Sequence, residues 1–207
     1  GAGVLAAEQP KAFVPVTDAM IENPDPADWL MWRRTQSTWG YSPLKQINKG
    51  NVGKLTLAWT RGIGPGVQEG TPLVYKGTLF FPHPSDLVQA VDAKTGALKW
   101  QYRRALPDDL GKFFPTPTTN RNLAIYDKLI IDTSSDDFAY ALDAETGKLV
   151  WETRILEYQK GAQQTSGPLI VKGKAISGRG CEPEGGPDAC IIVAHDAKTG
   201  KELWRTR

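Results

Sequence analysis

The phrase Asp-Ala-x-Thr-Gly, followed four residues later by Trp, occurs three times in the chain and constrains its fold more than any other feature. Both parts of the phrase recur after 51 and then 53 residues. An Asp side chain accepts hydrogen bonds from backbone N–H groups two or three positions on, and Gly supplies a positive φ, so the phrase predicts a tight turn. The tryptophan after it is expected to be a packing residue. The turns begin at Asp92, Asp143 and Asp196, and the tryptophans are Trp100, Trp151 and Trp204.

The residues around each turn follow one pattern. A segment of small residues and proline comes first, then two short apolar strands separated by a tight turn, then a third strand that ends on the repeated turn and a fourth that carries the tryptophan. Four short antiparallel strands with a period near fifty are typical of a β-propeller blade. We therefore predict an all-β chain with three four-stranded blades, at about residues 67–104, 113–154 and 162–207. Residues 55–61 alternate apolar and small polar side chains and predict a strand of a further, closing blade.

Residues 1–54 are expected to form an N-terminal arm of short helices and loops, followed by the partial propeller at 55–207. Thr17 or Asp18 is placed to cap a helical turn that runs through Glu22. Asp25 with Pro26 has the pattern of a second helix start.

Charge and hydropathy exclude two classes of partner. The formal net charge is +2 and the basic residues are scattered, which argues against nucleic acid. No apolar run reaches the roughly 18 residues that a membrane-spanning helix needs. His83 and His195 are isolated in the sequence and are expected to be structural. Cys181 and Cys190 lie nine positions apart around Pro and Gly, which fits either a local disulfide or two free thiols on a loop.

The three phrases, together with Trp-Gly-Tyr-Ser-Pro-Leu-Lys-Gln-Ile-Asn, Ala-Trp-Thr and Val-Gln-Glu-Gly-Thr-Pro-Leu-Val before them, resemble the pyrroloquinoline quinone (PQQ) dependent alcohol dehydrogenases of the methanol and ethanol dehydrogenase family. The resemblance implies an eight-bladed propeller that holds PQQ near its axis beside a calcium or lanthanide ion and oxidises a small alcohol in the periplasm. Three blades cannot close a ring. The resemblance then implies the N-terminal part of a larger propeller, as a fragment, as a nicked enzyme whose remainder is another chain, or as an assembly with further copies of this chain.

Three residues match cofactor-contacting positions of that family. Glu69 lies where the family has a glutamate at the inner end of the first blade, and Arg121 matches an arginine that contacts the quinone. Thr165 matches a hydroxyl that hydrogen-bonds the cofactor. A planar, permanently charged donor suits PQQ, which carries three carboxylates and a quinone carbonyl. The plainer alternatives are a loop carboxylate, a solvated arginine and a strand-entry threonine.

The resemblance also implies a metal ligand but no catalytic residue within this chain. A family glutamate that binds the ion falls nearest to Glu182, with Glu184 as the alternative, and a charged surface residue in the cysteine loop is the other interpretation. The family's general base, which takes the alcohol proton, lies in later blades, so the isolated chain is expected to be inactive. A different class of function stays open as well, a non-catalytic propeller that acts as a scaffold for protein–protein interaction.

Overall fold

The described residues of the chain form three four-stranded antiparallel sheets, each built from consecutive strands. The structure is a computed structural model that describes residues 12–113, 119–161, 164–180 and 190–207. The first sheet contains β1 (Leu73–Tyr75), β2 (Thr78–His83), β3 (Leu87–Asp92) and β4 (Leu98–Arg103). The second contains β5 (Ala124–Tyr126), β6 (Leu129–Thr133), β7 (Phe138–Asp143) and β8 (Leu149–Arg154). The third contains β9 (Leu169–Val171), β10 (Lys174–Gly178), β11 (Ile192–Asp196) and β12 (Glu202–Thr206).

Each sheet corresponds to one sequence repeat, so the prediction of an all-β chain with three four-stranded blades is confirmed. The strands of each sheet lie inside the range predicted for its blade. The pairing of the third with the fourth strand is interrupted at the same place in every sheet, shortly before the repeated turn. These irregularities lie at Ala90/Val91, Ala141/Leu142 and Ala194/His195.

The repeated turn has the hydrogen bonds that its residues predict. Asp92 Oδ1 accepts the N–H groups of Lys94 and Thr95 at 3.1 and 2.9 Å and the Thr95 hydroxyl at 2.9 Å. Gly96 follows with φ at 72°, a backbone conformation that L side chains rarely adopt. The other two turns, at Asp143 and Asp196, repeat these contacts.

Each turn glycine lies against a tryptophan ring from earlier in the chain. A Cβ on Gly147 would lie 2.5 Å from the Trp100 ring, so the ring occupies the space that a side chain would need. The Trp100 indole donates to Ala144 O at 2.9 Å, and the ring is 8% exposed. A tryptophan ring of one blade therefore packs against the glycine turn of the next blade, and this contact connects the two blades. The same ring–glycine contact joins Trp59 to Gly96 and Trp151 to Gly200. The Trp59 indole donates to Ala93 O at 3.2 Å, whereas Trp151 Nε1 is buried without a hydrogen-bond partner among the described residues.

Trp204 lies at the open flank of the third sheet and is 41% exposed. The prediction that the repeat tryptophans pack between blades is thus confirmed for Trp100 and Trp151, while Trp204 has no turn against it among the described residues.

Two apolar cores fill the spaces between neighbouring sheets. The first joins the first and second sheets and includes Val16, Ile21 and Leu30 from the N-terminal segment. The second joins the second and third sheets around Trp151. The N-terminal segment is therefore part of the folded domain.

The N-terminal segment also crosses the inner hairpin of every sheet. Asp28 Oδ1 accepts Lys76 N at 2.9 Å in the β1–β2 turn. Asp18 accepts the Tyr126 hydroxyl at 3.0 Å and Gly173 N at 3.1 Å, which belong to the second and third sheets. Two aspartates thus tie three blades together from one side.

The predicted first helix is confirmed as α1 (Asp18–Glu22), with Thr17 as its N-cap. The predicted second helix is wrong, because Asp25 Oδ1 accepts Ala27 N in a single turn and Trp29 then pairs with Val74 of β1. Pairing with the edge of β1 requires extended backbone at Trp29. Short 3-10 helices lie at Val52–Lys54, Leu110–Lys112 and Tyr158–Lys160.

Residues 55–61 form no strand, and Leu57 is 78% exposed. A strand needs a hydrogen-bonded neighbour, and the described residues place none beside this segment. Its assignment to a closing blade stays a prediction. Within the described ranges, no helix is long and apolar enough to cross a membrane.

Replacing Gly147 with Ala will destabilise the chain more than the same change at Gly77. Both glycines have positive φ, 71° and 74°, so both variants acquire backbone strain of about 1 kcal/mol. Only Gly147→Ala also displaces a tryptophan ring, because a Cβ at Gly77 meets nothing within 4 Å. We expect Gly147→Ala to lose about 1–3 kcal/mol more unfolding free energy than Gly77→Ala, measured by urea denaturation. Equal losses would show that the ring–turn contact does not hold the blades together.

Candidate functional site

The three residues that match cofactor positions all lie just before the first strand of a blade. Glu69 precedes β1, Arg121 precedes β5 and Thr165 precedes β9. The backbones of these strand entries are hydrogen-bonded side by side, since Thr71 N donates to Arg121 O at 2.8 Å and Arg121 N donates to Thr165 O at 2.9 Å. Equivalent positions of three blades therefore meet at one end of the sheets.

A glycine makes the close approach of the second and third entries possible, because a Cβ on Gly167 would overlap Asn122 O of the neighbouring entry. Gly70 is crowded within its own blade, where a Cβ would lie 2.6 Å from Pro82 O of β2.

Glu69, Arg121 and Thr165 form one cluster. Arg121 Nε lies 2.7 Å from Glu69 Oε2, and Arg121 Nη1 donates to the Thr165 hydroxyl. The Arg121 and Glu69 side chains are 43% and 41% exposed. An ion pair this exposed adds little to stability. Its effect is to hold the planar guanidinium in one orientation between a carboxylate and a hydroxyl.

A cavity of about 710 Å³ opens beside this cluster. Arg121, Asn122 and the 164–167 segment form its polar wall. Its apolar wall consists of Trp32, Leu169, Ile176 and Ile192. A cation and hydroxyl at one side and apolar surface at the other suit a planar, anionic ligand with an aromatic body.

A layer of buried charged residues lies at the same end of the sheets. Arg104 binds Asp136 through two nitrogens at 2.7 and 3.0 Å and Glu152 at 2.9 Å. Arg179 Nε donates to Asp137 at 2.6 Å, and both side chains are almost fully buried. Arg104 follows the first sheet, Asp136 and Asp137 lie in the β6–β7 turn, and Arg179 follows β10. These ion pairs therefore connect each blade to the next.

Burial shifts the pKa of three aspartates in this layer. Desolvation raises the pKa of Asp86 to about 6, although Ser135 N donates to its carboxylate at 2.8 Å. Desolvation, with a contribution from Asp86, raises the pKa of Asp132 to about 7. Desolvation also raises the pKa of Asp137 to about 6 and lowers the pKa of Arg179, because their mutual attraction offsets only part of the cost of burial.

The buried charged layer was not predicted from the sequence. The run Ser-Ser-Asp-Asp at 134–137 has the composition of an exposed turn. In the structure all four residues are buried, because the turn fits between the ends of the first and third sheets. Two adjacent aspartates in a turn are only a weak sign of buried ion pairs. Their arginine partners lie in neighbouring blades and can be identified only when the spacing of the blades is known.

Several predicted site residues lie outside the described residues, namely Glu182, Glu184 and Cys181. The Cys181–Cys190 disulfide and the metal ligand therefore stay predictions. His83 and His195 are each 1% exposed, and burial lowers the pKa of both imidazoles. Within the described part of the chain, no group of three or more His, Cys, Asp and Glu side chains is arranged to hold a metal ion.

Comparison with known proteins gives the family. Residues 29–207 match the family model described as the β-propeller domain of PQQ-dependent glucose, ethanol and other alcohol dehydrogenases. The chain is 38% identical over 196 residues to the dehydrogenase subunit of a quinone-dependent alcohol dehydrogenase from Komagataeibacter europaeus, covering 91% of the chain and 26% of that relative.

Two solved structures share the fold. Quinohemoprotein alcohol dehydrogenase ADHIIG from Pseudomonas putida superposes with a TM-score of 0.82 at 31% identity, over 94% of this chain and 29% of that protein. A europium-containing methanol dehydrogenase superposes with a TM-score of 0.80 at 31% identity, over 91% of this chain and 33% of that protein. The chain spans about a quarter of the length of the curated relative it matches. The family model, which matches most of the chain, confirms the resemblance seen in the sequence, and the chain belongs to the β-propeller family of PQQ-dependent alcohol dehydrogenases.

Proposed function

We propose that the chain is the N-terminal part of a PQQ-dependent alcohol dehydrogenase that oxidises an alcohol to an aldehyde or ketone. The observation that carries this proposal is the cluster of Glu69, Arg121 and Thr165 at the entries of three adjacent blades. Residues separated by 52 and 44 positions meet there, at the places that the family resemblance indicates for cofactor contacts.

The residues present fit PQQ. Arg121 supplies a fixed positive charge for a PQQ carboxylate or the quinone oxygen, and Thr165 supplies a hydroxyl beside it. Glu69 pairs with Nε of Arg121 and the Thr165 hydroxyl accepts from Nη1, so two partners hold the guanidinium in one plane. The cavity beside Arg121 is open on the flank of the third sheet, because Leu169 and Ile176 lie on the face that carries Trp204.

Bound PQQ would accept the hydride equivalent of the alcohol at its quinone carbonyl. Arg121 and Thr165 of this chain would bind and orient the cofactor. The base that removes the hydroxyl proton belongs, in this proposal, to the remainder of the propeller.

The metal ion of the site is proposed to be calcium or a lanthanide, with Glu182 as the ligand from this chain and Glu184 as the alternative. Europium in the related methanol dehydrogenase supports a hard cation that prefers oxygen ligands. A glutamate supplies such oxygens. No geometry is assigned to either side chain, because both lie outside the described residues.

The missing part of the ring is proposed as another chain or as further copies of this one. The open flank of the third sheet supports this, because Leu203 and Trp204 are 44% and 41% exposed there. Family membership supports a periplasmic location, where the proposed Cys181–Cys190 disulfide would persist.

Replacing Arg121 with Gln will weaken PQQ binding by the native protein, meaning the chain with any polypeptide that copurifies with it. The loss of a charge-assisted hydrogen bond predicts a dissociation constant about 10- to 100-fold higher. Equilibrium titration of the metal-loaded protein with PQQ, followed by absorbance and tryptophan quenching, measures the change.

Arg154→Gln is the matched control. Arg154 also forms an exposed ion pair with a glutamate at 2.7 Å, but it lies on β8 away from the strand entries. Its variant should bind PQQ like the wild type. Equal weakening in both variants, or a native wild type that does not bind PQQ saturably, would contradict the proposed site.

The 207-residue chain alone, supplied with PQQ and calcium, will not reduce an artificial electron acceptor with ethanol. It lacks the propeller section to which the proposal assigns the base. The assay is dye reduction, with a complete PQQ-dependent alcohol dehydrogenase as the positive control. Sustained, PQQ-dependent dye reduction by the isolated chain would refute the assignment of the base to the missing part.

A further inference from the structure

Asp132 and Thr133, at the end of β6, bind the strand entries that carry Arg121 and Thr165. Asp132 is fully buried and Thr133 is 5% exposed. Neither residue contacts the cavity beside Arg121. Both are nevertheless bonded to residues that directly adjoin Arg121 and Thr165 in the sequence.

Asp132 holds the residue before Arg121. Its carboxylate accepts Asn120 Nδ2 at 2.6 Å, the Tyr140 hydroxyl at 2.9 Å and Thr133 N at 2.8 Å. Asn120 is itself buried, at 4% exposure. The backbone directly before Arg121 is therefore held in one position, although the Arg121 side chain itself is half-exposed.

Thr133 holds the residue after Thr165. Its hydroxyl donates to Ser166 O at 3.1 Å. The same Thr165 accepts a hydrogen bond from Arg121 through its side chain and another through its backbone carbonyl. One dipeptide of the second blade thus anchors both the second and the third strand entries.

The fold alone does not account for a carboxylate at Asp132. Its three hydrogen bonds come from neutral donors, so no directly bonded cation offsets the cost of burying its charge. A smaller or apolar residue would be cheaper to bury there. What the carboxyl group does supply is two oxygens, one that accepts from Asn120 and Tyr140 and one that accepts from Thr133 N.

We propose that Asp132 and Thr133 are positioning residues, which fix Arg121 and Thr165 in the geometry that receives the cofactor. The identity of that cofactor rests on the proposed function; the positioning does not. Asp132 acts through Asn120, and Thr133 acts through the Ser166 carbonyl. Neither residue touches the ligand.

The test uses Asp132→Asn, with Asp28→Asn as the matched control. Asp28 is also a buried aspartate with a pKa raised by burial, but its carboxylate accepts Lys76 N in the β1–β2 turn, at the opposite end of the sheets. The Arg121 Nε–Hε resonance, assigned with Arg121→Lys, reports the side-chain environment by NMR without any cofactor. PQQ affinity of the native, metal-loaded protein is measured alongside.

We expect Asp132→Asn to shift the Arg121 resonance and to raise the PQQ dissociation constant about tenfold, because the amide replaces one of the two acceptor oxygens and a hydrogen bond is lost. Asp28→Asn should leave both unchanged. An unshifted Arg121 resonance in Asp132→Asn, or equal effects of the two variants, would overturn the proposal.

Thr133→Val provides a second arm if Asp132→Asn does not fold, because valine keeps the shape of threonine and removes only the donor to Ser166 O. It should also shift the Arg121 resonance, and Thr133→Ser should restore it. An Arg121 resonance that Thr133→Val leaves in place would contradict the role of Thr133. If the resonance shifts as expected but the wild-type protein binds no PQQ, the positioning inference stands and the proposed function fails.

Discussion

The contact between a tryptophan ring and a bare glycine turn determines the spacing of the blades, and the rest of the structure depends on it. The Trp100 ring occupies the place where a side chain of Gly147 would be, and its indole N–H is satisfied by the Ala144 carbonyl. Because the contact recurs in every repeat, neighbouring sheets are held at one separation. That separation brings the entries of β1, β5 and β9 within hydrogen-bonding distance of each other.

The two ends of the sheets are joined by different chemistry. Aromatic rings and glycines connect the blades at the end with the repeated turns, whereas buried ion pairs such as Arg104–Asp136 and Arg179–Asp137 connect them at the end with the strand entries. Buried ion pairs add little net stability, but a wrong register would leave their charges unpaired. The polar end is thereby held in one arrangement, as a cofactor site requires.

The sequence predicts most of the fold because its key residues recur. The turn, the tryptophan and the strand order follow from three copies of one phrase, and Glu69, Arg121 and Thr165 meet because they occupy the same place in successive units. The contacts of the N-terminal segment were not predictable, since Asp28 and Asp18 bind turns that are 48 and 155 residues away and follow no repeat. The failed helix at Asp25 has the same cause, because pairing of Trp29 with β1 overrides a good local capping pattern. Asp132 was missed because nothing in a strand-end aspartate reveals that Asn120 will lie against it.

A crystal structure of the native protein with PQQ and calcium tests the central claim, that the strand entries of these three blades build one wall of a cofactor site. The structure should show PQQ in the cavity beside Arg121, with a cofactor oxygen about 2.7–2.9 Å from the guanidinium. The Thr165 hydroxyl should lie beside that oxygen, and Glu69 should remain on Nε. PQQ bound elsewhere, or an Arg121 that contacts only Glu69 and Thr165 while the site is filled, would contradict it.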